Sequence, residues 1–211
     1  CAFVGATGAG KTTILSLIVR NYEVQKGQIL IDGVDIKNIK IDSLRKCIGQ
    51  MLQDVFLFSG NIRNNITLND ESIPDEEIMN VCDYVNASSF INKLDNKLDS
   101  EVIEKGENFS SGQRQLLSFA RTVIHKPQIL ILDEATANID TETEVLIQDS
   151  LNKIKNIGTM LVVAHRLSTI QHADNIVVLQ HGEVIEQGNH QELLKQKGYY
   201  YKLYQLQFEK K

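Results

Sequence analysis

Short, wholly apolar runs alternate with amphipathic stretches along much of this 211-residue chain. The runs at 129–132 and 160–164 are rich in β-branched residues, which is typical of strands that are buried on both faces of a sheet. Between them, residues 141–155 carry apolar side chains at helical spacing. A strand, a helix and a second strand in this order predict a mainly parallel sheet with right-handed crossovers.

The pattern changes in the middle of the chain, where no convincing buried strand occurs. The acidic residues that follow Pro74 mark the start of a helix, and the longest helical pattern covers 110–125. The sequence therefore predicts an α/β fold in which an all-helical subdomain, residues 54–125, is inserted into a core formed by 1–53 and 126–211.

Composition excludes several classes of protein. Apolar residues make up 42% and charged residues 23% of the chain, which is globular composition. The net charge of −5, without a basic excess, argues against a nucleic-acid-coating protein. No apolar run approaches the roughly 20 residues that cross a bilayer. Three cysteines without CxxC spacing argue against a disulfide framework and against zinc, and for a reducing cytosol.

A phosphate-loop pattern, G-x-x-x-x-G-K-[ST], begins at Gly5, directly after the first apolar residues, so we expect the chain to be a fragment of a longer protein. Glycines allow backbone N–H groups to curl around phosphate oxygens, and the following helix adds partial positive charge. A lysine at this place reaches the outer phosphates, and the next hydroxyl is a hard oxygen ligand for Mg²⁺. The predicted binding residues are Gly5, Ala6, Thr7, Gly8, Ala9, Gly10, Lys11, Thr12 and Thr13. The loop alone leaves GTPases, kinases, helicases and transport ATPases open.

Polar residues follow three of the predicted strands. Asp133 and Glu134 come directly after the apolar run at 129–132, and ligands collect at the carboxyl ends of strands in open α/β sheets. We predict that Asp133 serves Mg²⁺, as does Thr12, and that Glu134 is the general base for the attacking water. The alternative is that both carboxylates are solvated caps of the next helix. Two further candidates at strand ends are His165 and Gln53, the latter as a Mg²⁺ ligand or a water-orienting group.

The helix predicted over 110–125 starts at Ser110-Ser-Gly112-Gln113. Small residues and exposed N–H groups at a helix start can bind an anion. A simple N-cap at Ser110 is the alternative. Because the chain already has one phosphate loop, a second anion site on the insert would serve better if it faced the phosphate of another molecule.

In this order the motifs resemble the nucleotide-binding domain of ATP-binding-cassette (ABC) transporters of the exporter type. Residues 5–12 resemble the Walker A motif, Gln53 the Q-loop and residues 109–113 the signature motif. Further along the chain, residues 129–134 resemble Walker B, residues 135–140 the D-loop and His165 the H-loop.

The resemblance implies a P-loop NTPase fold with ATP and Mg²⁺ as ligands. It implies a head-to-tail dimer with a second such domain, in which the Walker motifs of one chain and the signature of the other enclose each ATP. Ser110, Gly112 and Gln113 would face the partner's ATP, and Asp140 would cross the interface. Hydrolysis would drive export through transmembrane domains at the cytoplasmic face of the cell membrane.

The sequence departs from the family pattern at the signature, where Ser111 replaces the first glycine of LSGGQ, and at Ile103, where exporters usually have glycine. A modified signature beside an intact Glu134 resembles one subunit of heterodimeric multidrug-type exporters. Variation within a homodimer is the alternative.

Four of the six tyrosines lie in the last fourteen residues of the chain. We expect this tail to pack on its own domain; an amphipathic helix that binds a partner is the alternative.

Overall fold

The computed structural model describes residues 1–51, 55–133, 141–155, 157–163 and 170–208. The strands in these ranges are β1 (Ala2–Val4), β2 (Leu30–Ile31), β3 (Val34–Asp35), β4 (Ile48–Met51), β5 (Gly60–Asn61), β6 (Glu101–Val102), β7 (Ile129–Asp133), β8 (Thr159–Val163), β9 (Ile176–Gln180) and β10 (Glu183–Gly188). The α-helices are α1 (Lys11–Ile18), α2 (Ile41–Cys47), α3 (Ile62–Thr67), α4 (Asp75–Tyr84), α5 (Ser88–Ile91), α6 (Ser111–Ile124), α7 (Thr141–Ile154), α8 (His190–Gln196) and α9 (Tyr199–Phe208).

The chain forms two compact units. The first comprises Cys1–Ile48, Ile129–Ala135 and Thr159–Lys211, and the second comprises Gly49–Gln128 and Thr136–Gly158. Helix α7 therefore groups with the second unit, although the strands before and after it, β7 and β8, belong to the first.

Five strands of the first unit lie side by side in the order β10-β9-β1-β8-β7. Strand β1 runs parallel to both of its neighbours, β7 runs parallel to β8, and only the edge strand β10 is antiparallel among these five. This arrangement confirms the predicted α/β class with a mainly parallel sheet. The apolar run that predicted β7 is buried at its centre, because a strand inside such a sheet is covered on both faces.

The core of the first unit joins one face of the sheet to α1 and α2. It consists of the buried side chains of Phe3, Ala9, Leu15, Val19, Ile36, Leu44, Ile48, Ile131, Val163 and Leu179. Phe3 precedes the glycine-rich loop and Ala9 lies within it, so the packing of the core fixes the chain before the loop and in its second half.

A small antiparallel hairpin, β2–β3, forms in the same unit around Asp32-Gly33, a dipeptide that is typical of two-residue hairpin turns. The register pairs Leu30 with Asp35 and Ile31 with Val34. Both turn residues have left-handed backbone conformations, with φ of 48° at Asp32 and 81° at Gly33. Such a pair of conformations is the one that a two-residue hairpin requires and that glycine supplies most readily.

The Tyr-rich tail packs within the first unit. The Glu186 carboxylate accepts hydrogen bonds from the backbone N–H groups of Tyr199 and Tyr200 at the start of α9. The Tyr200 side chain is fully buried, its hydroxyl lies 2.7 Å from His190 Nδ1, and burial raises the pKa of Tyr200 to about 12. Tyr200 therefore anchors the tail to its own domain.

The second unit is mainly helical and is built around α6. This helix buries an apolar face that includes Leu116, Leu117 and Phe119, as the helical pattern over 110–125 predicts. The unit also contains one short antiparallel pair, β5–β6, of two residues in each strand. Within the described ranges, no helix is long and apolar enough to cross a membrane.

Candidate nucleotide-binding site

The glycine-rich loop connects β1 to α1 and shapes a helix start that is open to an anion. Gly8 and Gly10 have φ of 80° and 100°, which L-residues with a Cβ rarely adopt. Gly10 is the N-cap of α1 and contributes no side-chain hydrogen bond to the first turn. The N–H groups of that turn, together with the helix dipole, form the kind of site that binds phosphate oxygens.

Lys11 is buried inside the loop that it follows, with only 6% of the residue exposed. Its ammonium group donates hydrogen bonds to the carbonyl oxygens of Gly5 at 2.8 Å and Ala6 at 3.0 Å. Burial lowers the pKa of Lys11, and the negative charge of Asp133 partly opposes this shift. An ammonium group has three donors, so these two hydrogen bonds hold the Lys11 charge in place and leave the third donor for a ligand.

Asp133 lies at the sheet edge from which the loop departs. The register pairs Asp133 with Val163 on β8 and, on the other side of β8, pairs Phe3 with the same residue. Asp133 and Phe3 are therefore level with each other, two strand spacings or roughly 10 Å apart. The influence of Asp133 on the Lys11 pKa reflects the same proximity.

The donor set at this edge fits a magnesium ion that is bound together with a phosphate. Thr12 is exposed on the first turn of α1, and Asp133 supplies a carboxylate. The described residues contain no group of three or more His, Cys, Asp or Glu side chains that could hold a metal ion. Mg²⁺ needs no such group, because it keeps several waters and is held by one or two protein oxygens plus the substrate's phosphates.

Ser110 and Gln113 form a capping box at the start of α6. The Ser110 Oγ accepts a hydrogen bond from the Gln113 N–H at 3.2 Å, and the Gln113 Oε1 accepts one from the Ser110 N–H at 3.0 Å. The N-cap alternative of the sequence is therefore present in the structure. The Ser110 hydroxyl still has its own proton to donate, so a contact with a phosphate stays a prediction.

Ser111 occupies the first position of α6, and Gly112 next to it is buried. The extra side chain of Ser111 thus stands at the helix start, where the family pattern has glycine.

Four predicted site residues, Gln53, Glu134, Asp140 and His165, lie outside the described residues. The sequence alone places Glu134 next to Asp133 and His165 two residues beyond Val163, the partner of Asp133 in the sheet.

One contributor to the site was missed by sequence reasoning. The turn between β9 and β10, His181-Gly182, lies against the loop, and the Gly182 N–H donates a hydrogen bond to the Ala9 carbonyl oxygen at 3.1 Å. The turn itself has a signal, since a His-Gly pair follows the apolar run of β9. The contact with the loop has no signal in the sequence, because Gly182 and Ala9 are 173 positions apart.

Comparison with known proteins places the chain in a family. Residues 1–137 match the family described as ABC transporter. The chain is 52% identical over 206 residues to the probable multidrug resistance ABC transporter ATP-binding/permease protein YheH of Bacillus subtilis (strain 168). This alignment covers 98% of the chain and 31% of YheH. The chain is 47% identical over 207 residues to the ATP-dependent lipid A-core flippase of Syntrophus aciditrophicus (strain SB), covering 98% of the chain and 34% of that protein.

A solved structure agrees with this result. The structure of a bacterial Atm1-family ABC exporter with ATP bound superposes with a TM-score of 0.90 at 39% identity, covering 98% of this chain and 36% of that one. The chain spans about a third of the length of the curated relatives it matches. With a family match over more than half of its residues and with these relatives, the chain belongs to the ABC transporter family, as an ATP-binding domain of the exporter type.

Proposed function

We propose that this chain is the motor domain of an exporter, which binds ATP with Mg²⁺, hydrolyses it and powers the movement of a substrate through transmembrane domains outside this chain. The observation that carries the proposal is the buried Lys11 ammonium, held inside the loop and within the electrostatic influence of Asp133. The names of the relatives, which join ATP-binding to permease, support the link to transmembrane domains. The domain then works at the cytoplasmic face of the cell membrane.

The loop binds the phosphates of ATP. The N–H groups around Gly8 and Gly10 and the start of α1 donate to phosphate oxygens, and Lys11 neutralises charge on the outer phosphates. Thr12 and Asp133, with Gln53, hold Mg²⁺, which supplies further positive charge where the transferred phosphoryl group develops negative charge. The main contribution of Lys11 is electrostatic, because hydrogen bonds to the carbonyl oxygens of Gly5 and Ala6 hold its ammonium group in place.

Glu134 is the general base in this proposal. Its carboxylate accepts a proton from the water that attacks the outer phosphate, while His165 and Gln53 orient the reacting groups. Positioned general bases are typically worth about 10²–10⁴ in rate.

The partner is a second ABC nucleotide-binding domain in a head-to-tail dimer. Ser110, Gly112 and Gln113 face the ATP of the partner, and Asp140 lies at the interface. The capping box supports this role, because it fixes the direction of the first N–H groups of α6. Ser111, in place of a glycine, favours a partner that is a non-identical subunit with an unmodified signature. No nucleic acid takes part.

The substitution Glu134→Gln tests the catalytic assignment. It removes a basic carboxylate and keeps its size, so we expect phosphate release from Mg-ATP to fall by about 10²–10⁴, with ATP affinity retained. Glu142→Gln is the matched control, because Glu142 is exposed in the first turn of α7 and has the same chemistry. Hydrolysis by the Glu134 variant at the rate of the control would refute the assignment.

Sedimentation velocity of the Glu134→Gln variant with Mg²⁺ and a coloured ATP analogue tests the partner. A dimer that forms only with nucleotide identifies a homodimer in which Ser111 is tolerated. A monomer that carries nucleotide identifies the need for a non-identical partner.

A further inference from the structure

The β9–β10 hairpin contacts the phosphate loop at its beginning and at its end. At the end, the Gly182 N–H donates a hydrogen bond to the Ala9 carbonyl oxygen at 3.1 Å. At the beginning, Gly5 lies so close to Leu179 that a Cβ on Gly5 would overlap the carbonyl oxygen of Leu179. A Cβ on Gly10 would lie 3.5 Å from the Gly182 Cα. The loop therefore rests on the backbone of this hairpin.

The hydrogen bond to the Ala9 carbonyl also determines the direction of the Gly10 N–H, because the two groups belong to the same peptide. In a planar trans peptide the C=O and the N–H point in opposite directions. The Ala9 carbonyl points at the hairpin, so the N–H of Gly10 points away from the hairpin and, in the proposed function, toward the phosphate. Rotation of this one peptide would turn a carbonyl oxygen toward the phosphate and would repel it.

We propose that Gly182 is a positioning residue for the phosphate loop, acting through its N–H on the Ala9–Gly10 peptide. The proposal rests on the proposed function, since it concerns how the loop is prepared for ATP. It gives the His181-Gly182 turn a role in nucleotide affinity although the turn belongs to none of the sequence motifs.

The geometry of the turn makes the proposal testable by substitution. His181 and Gly182 have φ of 51° and 82°, the pair of left-handed conformations of a two-residue hairpin. A Cβ on Gly182 meets nothing within 4 Å, so a side chain there has room. A β-branched residue therefore acts through the backbone alone, because it disfavours the left-handed conformation and so moves the N–H.

The chain contains a matched control for this effect. Asp32 and Gly33, in the β2–β3 hairpin, have φ of 48° and 81°, and a Cβ on Gly33 also meets nothing within 4 Å. The backbone hydrogen bonds of the described residues join Gly182 to the phosphate loop and include none from Gly33 to it. Gly33→Val thus applies the same backbone penalty away from the loop.

Three variants, Gly182→Val, Gly33→Val and Gly182→Asn, are compared with the parent chain. We measure binding of a fluorescent ATP analogue, thermal unfolding and, without nucleotide, amide hydrogen exchange of residues 5–12. We expect Gly182→Val to weaken binding by about tenfold, the size of one hydrogen bond, and to speed exchange in the loop. We expect Gly33→Val to lower Tm by about as much as Gly182→Val does, and to leave both ATP-analogue binding and amide hydrogen exchange of the loop unchanged. Asparagine tolerates the left-handed conformation, so Gly182→Asn restores binding to within about threefold.

The proposal is overturned if Gly182→Val binds the analogue like the parent, or if Gly33→Val weakens binding equally. Should Gly182→Val not fold, Gly182→Ala imposes a smaller penalty of the same kind and is compared with Gly33→Ala. A parent chain that does not bind the analogue refutes the proposed function and not this inference. The inference is then tested by amide hydrogen exchange of residues 5–12, and equal exchange rates in the Gly182 and Gly33 variants overturn it.

Discussion

A polar junction in the second unit connects the end of α4 to α7 and allows a quantitative prediction. Ser150 on α7 is fully buried, and its Oγ lies 2.7 Å from the carbonyl oxygens of both Val85 and Leu146. The Asn86 Nδ2 donates to the same Ser150 Oγ at 3.0 Å and to the Asp149 carboxylate at 2.8 Å. The bonds that connect Val85 and Asn86 to α7 span more than 60 residues of sequence, so they fix tertiary and not local structure.

Ser150→Ala removes the hydroxyl and leaves the buried Val85 carbonyl and the half-buried Asn86 amide without this partner. A buried group that loses its hydrogen bond costs about 1–3 kcal/mol. In a domain of this size each kcal/mol corresponds to about 2–4 °C of Tm. Ser89→Ala is the matched control, because its Oγ also bonds a backbone carbonyl, that of Asn86 at 2.8 Å, but at an exposed position where water replaces it.

Two substitutions at Asn86 separate side-chain bonding from backbone conformation. Asn86 has φ of 61°, which glycine adopts freely and alanine does not. Asn86→Gly therefore removes the side-chain hydrogen bonds without straining the folded backbone, and Asn86→Ala adds about 1–2 kcal/mol for the left-handed conformation. Because Asn86 and Ser150 are in contact, we expect the double variant Asn86→Gly with Ser150→Ala to lose less stability than the sum of the single variants.

Urea and thermal unfolding, followed by circular dichroism, measure all of these variants. If Ser150→Ala is no less stable than Ser89→Ala, the buried bonds do not stabilise the junction and the reasoning is refuted. The result bears on function, since α7 starts directly after Asp140, the residue that we propose for the dimer interface.

Two further predictions concern the first glycine of the loop and the buried cysteine. Gly5 and Gly8 both have positive φ, so alanine strains the backbone at either position, but only at Gly5 does the added Cβ also meet a backbone atom, the Leu179 carbonyl oxygen. Gly5→Ala should therefore lower the free energy of unfolding by about 1–3 kcal/mol more than Gly8→Ala does. Equal Tm values of the two variants would contradict this. Cys82 is fully buried, and burial raises its pKa to about 12. At pH 8 an aromatic disulfide reagent should therefore modify the other two cysteines and reach Cys82 only after unfolding in guanidinium. Rapid reaction of all three thiols in the native chain would contradict this prediction.

Features that depend on a few adjacent residues were predictable from the sequence. The phosphate loop is contiguous, because its glycines, its lysine and the helix that follows act on one ligand within one turn of chain. The hairpin at Asp32-Gly33 follows for the same reason, since two residues determine the turn. The start of α6 was also predictable, as a Ser followed three residues later by Gln is a capping box in sequence as well as in structure.

Features that join distant segments were decided by the tertiary structure. The sequence indicated a parallel sheet but not the order β10-β9-β1-β8-β7, which sets Asp133 level with Phe3. Nor did the sequence group α7 with the helical unit. Ser150 is an ordinary polar residue in a helical pattern, and only the folded chain brings Asn86 into contact with it. The contact between Gly182 and Ala9 is the extreme case. Every residue carries a carbonyl group and nearly every residue an N–H group, so a backbone hydrogen bond leaves no mark on the side chains, and only the folded chain decides which two groups meet.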